Sequence, residues 1–113
     1  MSRISTHVLD TARGRPAAGV AVVLEAAGPD GAWTEVGRGV TDADGRIPDL
    51  SPGRPLGPGD YRLRFVTGDY QRGQGQPAFY PEVQVRVRLD DPPGRYHLPL
   101  LLSPFGYATY RGS

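Results

Sequence analysis

The stretch RYHLPLLLSPFGYATYRGS, Arg95 to Ser113, decides how the rest of the chain is read. Tyr96, Leu98, Leu100 and Leu102 share one parity, and His97, Pro99 and Leu101 share the other. Side chains alternate across a strand, so a segment apolar at both parities is covered on both faces. Ser103-Pro104-Phe105-Gly106 then reads as a turn, which makes the stretch a β-hairpin. Flexible tails are poor in packable residues, whereas this one carries Tyr107 and Tyr110 close to Ser113. We therefore expect the tail to be ordered and used. One face of the first strand belongs in a core. The face with His97 needs a second cover, which in so short a chain is expected to be another subunit.

Outward from the hairpin, the same alternation recurs. Val83, Val85, Val87 and Leu89 alternate with Gln84, Arg86 and Arg88, the cleanest strand signal in the chain. Tyr61, Leu63 and Phe65 give another inward face, with Arg62 and Arg64 expected to point to water. Val20, Val22 and Leu24 form a third, closed by the turn Gly28-Pro29-Asp30-Gly31, and Trp33 to Val40 reads as its hairpin partner. At the start, Ile4, Thr6 and Val8 share the core face, so Ser5, His7 and Leu9 face out. Thr41 to Gly45 is a turn with Gly45 expected at positive φ. Arg46 to Asp49 can only be a short strand, because Pro48 removes a ladder donor. Leu50 to Asp60 reads as an ordered surface loop, and Thr67 to Gly73 as a short helix capped by Thr67 or Asp69. About seven or eight short strands with a turn roughly every ten residues predict an all-β sandwich of two sheets.

Composition excludes several classes. The chain of 113 residues is read as one domain, residues 1–113. A net charge of +1 makes no electrostatic case for nucleic acid or an anionic membrane. There is no cysteine, hence no disulfide or thiolate metal site. No leader-like apolar run opens the sequence and no stretch has spanning length, so a cytoplasmic protein is expected. His7 and His97 show no HxH or HExxH spacing, so no metal is expected; the proton work expected of the histidines needs no cofactor. Asp42-x-Asp44-Gly45 starts like a calcium loop but lacks its distant Glu, and is read as a turn.

Four segments together resemble one family. Ser5 to Ala17 reads S-x-H-V-L-D-x-x-x-G-x-P-A, and Thr41 to Arg46 reads T-D-x-D-G-R. Gly68 to Val83 reads G-D-Y, eight residues, then F-Y-P-E-V, and His97 to Ser113 closes the chain. In order and spacing these resemble the 5-hydroxyisourate hydrolases, transthyretin-like enzymes of purine breakdown. Transthyretin, the thyroid-hormone carrier, resembles the chain around the Ser-Pro-Phe turn but has neither the Tyr-Arg-Gly-Ser ending nor these histidines.

The resemblance implies a sandwich of two four-stranded sheets with one short helix after the fifth strand. It also implies a homotetramer, a dimer of dimers, with active sites in the channel between dimers. The implied reaction is hydrolysis of 5-hydroxyisourate to 2-oxo-4-hydroxy-4-carboxy-5-ureidoimidazoline. It carries catalytic roles onto His7, Arg46, His97 and Ser113, and substrate binding onto His7, Arg46, Tyr110, Arg111 and Gly112. Pro99 then falls inside a central strand, where a local bulge is expected. The rival readings are a carrier that binds an aromatic ligand without turnover, and a non-enzymatic adhesion domain.

Overall fold

The computed structural model describes residues 2–113. Its elements are β1 (Arg3–Asp10), β2 (Arg15–Pro16), β3 (Ala21–Ala27), β4 (Trp33–Val40), β5 (Arg46–Ile47), β6 (Gly59–Phe65), α1 (Thr67–Gly73), β7 (Val83–Leu89), β8 (Arg95–Ser103) and β9 (Gly106–Thr109). One sheet is four-stranded, in the order β4-β3-β6-β7. The other runs β2-β1-β8-β9, with β5 also pairing β1. β2 and β5 are stubs of two residues each. They share one edge of β1, which is why this sheet counts five strands where four were expected. With both stubs counted, α1 follows the sixth strand, where the fifth was expected.

The alternating residues meet between the sheets. Ile4, Val8, Leu98, Leu100 and Leu102 from one side pack with Val22, Leu24, Leu63, Phe65 and Val83 from the other, all buried. Burying one such side chain is worth roughly 1.5–3 kcal/mol, which sets the parity of each strand. A slip of one residue would turn every apolar side chain outward. Thr6 sits among them because its hydroxyl donates to the Leu98 carbonyl at 2.7 Å.

Three local expectations change. Helix α1 has Val66 at its N-cap and no side-chain cap bond. Thr67 instead donates to the Tyr80 carbonyl at 3.4 Å, and Asp69 pairs with Arg72. The helix is held by tertiary bonds: Tyr70 donates its hydroxyl to the buried Asp10 carboxylate at 2.7 Å, and the Gln71 amide donates to the Ser103 carbonyl at 3.2 Å. Arg62 and Arg64 do not simply face water. They are half-buried in ion pairs with Glu25 and Glu82.

Pro99 causes no bulge. β1 and β8 stay in register from Arg3↔Arg95 to Asp10↔Leu102. On the other side, Leu100↔Thr109 and His97↔Gly112 lie in one unbroken register. The missing N–H therefore interrupts the ladder without shifting it. The Pro99 carbonyl takes the Thr109 hydroxyl at 2.7 Å.

Candidate active site

β1 and β8 run parallel, with Ser5 beside His97 and His7 beside Pro99. Because Ile4, Thr6, Val8, Leu98 and Leu100 are drawn inward, Ser5, His7 and His97 stand together on the outer face of the sheet. The stub β5 arrives on the opposite edge of β1 and sets Arg46 beside His7. The turn before it is exacting. Gly45 has φ +75°, and a Cβ there would come 2.4 Å from the Val8 carbonyl oxygen. A side chain is excluded on both counts. The Asp42 carboxylate closes this turn by accepting the N–H groups of Asp44 and Arg46, each at 2.9 Å.

The tail continues past β9 along the same edge of β8. The Gly112 N–H donates to the His97 carbonyl at 2.7 Å. A Cβ on Gly112 would lie 2.7 Å from His97 Cδ2, so only glycine lets the backbone rest against the imidazole. The Arg111 guanidinium stacks on the Tyr96 ring, 4.4 Å from its centroid. These contacts carry Ser113 to a cavity of about 390 Å³ lined by Ser5, His7, Arg46, Arg95, His97 and Ser113. The tail also packs near Pro99, which is buried within the single chain. Part of the cover expected from another subunit is thus supplied by the chain itself.

The electrostatics are one-sided. No side-chain carboxylate lines the cavity. Arg46 and Arg95 have no ion pair among the described residues. Burial pushes the His97 imidazole below the usual histidine range, and its electrostatic interactions with His7 and Arg46 push the same way. His97 is therefore neutral at neutral pH. Its Nδ1 lies 2.8 Å from the Ser5 hydroxyl. His7 Nε2 is buried and has no hydrogen-bond partner among the described residues, a costly state for a ring nitrogen. Two imidazoles and two guanidiniums in one hollow can move protons and bind developing negative charge.

Of the residues singled out from sequence, His7, Arg46, His97 and Ser113 come together around the cavity. Tyr110 is 55 % exposed and does not line it, Arg111 turns to Tyr96, and Gly112 meets His97 through its backbone. Sequence reasoning missed Ser5 and Arg95. Each lies two positions before a histidine on the same strand, so parity was the signal that could have found them. Among the described residues, no three His, Cys, Asp or Glu side chains cluster as a metal site would.

A profile described as HIUase/Transthyretin family matches residues 4–112. The chain belongs to this family. Family relatives similar to it include a 5-hydroxyisourate hydrolase of Salmonella typhimurium, 47% identical over 110 residues, covering 97% of this chain and 80% of that protein. One from Mus musculus is 43% identical, covering 99% and 96%. Among solved structures, a Klebsiella pneumoniae 5-hydroxyisourate hydrolase has a TM-score of 0.87 at 38% identity, covering 99% of this chain and 100% of that one. Sea bream transthyretin in complex with thyroxine has a TM-score of 0.89 at 36% identity, covering 97% and 94%. Both branches of the HIUase/Transthyretin family thus share this backbone, and the backbone does not separate an enzyme from a carrier.

Proposed function

We propose that the protein hydrolyses 5-hydroxyisourate to 2-oxo-4-hydroxy-4-carboxy-5-ureidoimidazoline in urate breakdown. The observation that carries this reading is the cavity itself: His7, His97 and an unpaired Arg46 converge in one hollow. Relatives named for this activity are 43–47% identical over nearly the whole chain, which supports it. A carrier for an apolar ring would gain nothing from two imidazoles and two guanidiniums.

The chemistry follows from the groups. Water oxygen attacks the carbonyl carbon of a cyclic amide, and one water proton passes to an imidazole. His7, beside Arg46, takes that role in our assignment; its unpartnered Nε2 favours an incoming hydrogen-bonding group. Arg46 stabilises the oxyanion of the tetrahedral intermediate. The carbon–nitrogen bond then breaks and the nitrogen takes a proton delivered through His97. The carbonyl carbon leaves as a carboxylate. Ser113 orients the water. Arg111 and Gly112 hold Ser113 and His97 in place, and Tyr110 forms a wall of the assembled site.

We assign the assembled form as a dimer of dimers. Support comes from the short outer strand β9 and from Phe79, Phe105, Tyr107 and Tyr110, all exposed close to or along it. Such a row of exposed aromatics on a monomer calls for a partner.

The test is direct. Urate and urate oxidase generate 5-hydroxyisourate in situ, and its ultraviolet decay is followed with and without the protein. Faster decay than the spontaneous rate is expected. An unchanged decay, with binding of an aromatic ligand by calorimetry, would favour the carrier that sea bream transthyretin exemplifies.

A further inference from the structure

We propose that Ser5 is a positioning residue for His97, accepting its Nδ1 proton so that Nε2 is the nitrogen free to exchange protons. The inference rests on the hydrolase reading for its meaning but not for its geometry. Ser5 and His97 are 92 positions apart and become neighbours only through the parallel β1–β8 ladder. Their side chains share the outer face because Ile4, Thr6 and Leu98 occupy the inner one. The Ser5 hydroxyl lies 2.8 Å from His97 Nδ1, and the serine makes no other side-chain hydrogen bond among the described residues. His97 Nε2 makes none to the protein among those residues, while Gly112 packs against the adjacent Cδ2.

The choice of a hydroxyl has chemical consequences. Which ring nitrogen carries the proton is set by the bond the other one makes. With Nδ1–H donated to Ser5, Nε2 keeps its lone pair. It can take a proton from water or the hydrated intermediate to form imidazolium, and return it to the leaving nitrogen. The Ser5 oxygen accepts from Nδ1–H in both states, so the ring does not reorient during turnover. A carboxylate in this place would add negative charge and raise the basicity of His97. The hydroxyl orients the ring without doing so. The charged or titratable groups around this ring are His7 on β1, Arg46 on β5, Arg95 on β8, the terminal carboxylate of Ser113, and Arg88, Tyr96 and Arg111 beside the small hollow that His97 also borders. None of these side chains is a carboxylate, and among the described residues Ser5 is the group bonded to His97 Nδ1.

The experiment uses the full-length protein, with Ser5→Ala and Ser5→Thr variants. Nitrogen-15 NMR of the histidine rings reads the His97 tautomer, assigned by its loss in His97→Gln. Wild type is expected to show the Nδ1–H form, Ser5→Ala to lose it, and Ser5→Thr to restore it. Turnover of 5-hydroxyisourate should fall about tenfold in kcat for Ser5→Ala, the scale of one hydrogen bond, with KM little changed, and recover in Ser5→Thr. An unaltered tautomer or a wild-type kcat in Ser5→Ala overturns the proposal. A wild-type protein without turnover overturns the hydrolase reading alone. The Ser5–His97 assignment then stands or falls on the tautomer.

Discussion

The two outer faces of the sandwich treat charge in opposite ways. On the β4-β3-β6-β7 sheet, each outward arginine has found a carboxylate. Arg62 meets Glu25 at 2.8 Å, Arg64 meets Glu82 at 2.9 Å, and Arg86 and Arg88 reach Asp60 at 2.6 and 2.7 Å. Arg38 pairs with Glu35, and Arg62 and Arg86 also cover the Trp33 ring. The Asp60 carboxyl is held well below the usual carboxylate range by its bonds to Arg88 and Arg86. On the β1–β8 face, Arg46, Arg95, His7 and His97 gather without any acidic side chain. A face with every charge satisfied has little left to offer a ligand. A face whose donors stay open can bind negative charge as it develops in a transition state.

Variants can break this contrast, and the largest effect is expected from the tail. Deleting Tyr110 to Ser113 removes the Gly112 bond to His97, the Arg111 stack and Ser113 together. Activity should be abolished in the coupled ultraviolet assay while circular dichroism still reports a β-sandwich. A truncated enzyme with normal turnover would show that the tail only covers the sheet.

Next come the proton-carrying groups. His7→Ala and His97→Ala should each lose about a hundredfold or more in kcat, the scale of a general acid or base, with unfolding curves near wild type. Arg46→Gln should lose about 10²-fold, as for an oxyanion donor. Normal rates in both histidine variants would remove the proton-transfer assignment.

A subtler prediction concerns pH. Protonating His97 is disfavoured first by burial and then by repulsion from His7 and Arg46, so its folded value lies below the ordinary 6.5. The neutral ring then persists below that pH, and the acid limb of kcat/KM should fall on the acid side of 6.5. Arg46→Gln removes one repelling charge and should move the limb upward. A limb that stays in place, or moves down, would detach His97 from the observed titration.

The smallest effect belongs to the other face. Asp60→Asn deletes the acceptor of two exposed arginines. Exposed pairs contribute little and are screened by salt. Turnover should be unchanged and the melting temperature nearly so, with any difference fading at high salt. A large loss of activity would mean that the two faces are not independent.

Much of this was legible along the chain. The parity of Ile4, Thr6 and Val8 placed His7 outside, the parity of Leu98 and Leu100 did the same for His97, and the Asp44-Gly45 turn marked the approach to Arg46. The resemblance across Ser5 to Ser113 matches the family to which the chain belongs. Other features had no local trace. Asp10 anchors α1 through Tyr70, across 60 positions, so no capping rule could foresee how the helix is held. At Pro99 the β1–β8 pairing keeps its register, and the Thr109 hydroxyl, ten positions on, donates to the Pro99 carbonyl. Arg62 and Arg64 looked solvated until the β3–β6 pairing set Glu25 opposite Arg62, and Glu82 arrived beside Arg64.

The sequence by itself determined which side of each strand every residue occupies, because alternation is a property of the local backbone and burial of the apolar set enforces it. It also determined, through Gly45, where the backbone can turn sharply. Only the tertiary structure decided which outward residues are neighbours. Ser5 meets His97, and Arg46 meets His7, because strands distant in the chain pair edge to edge. That pairing is selected by the packing of the whole core, and no local stretch of residues contains it.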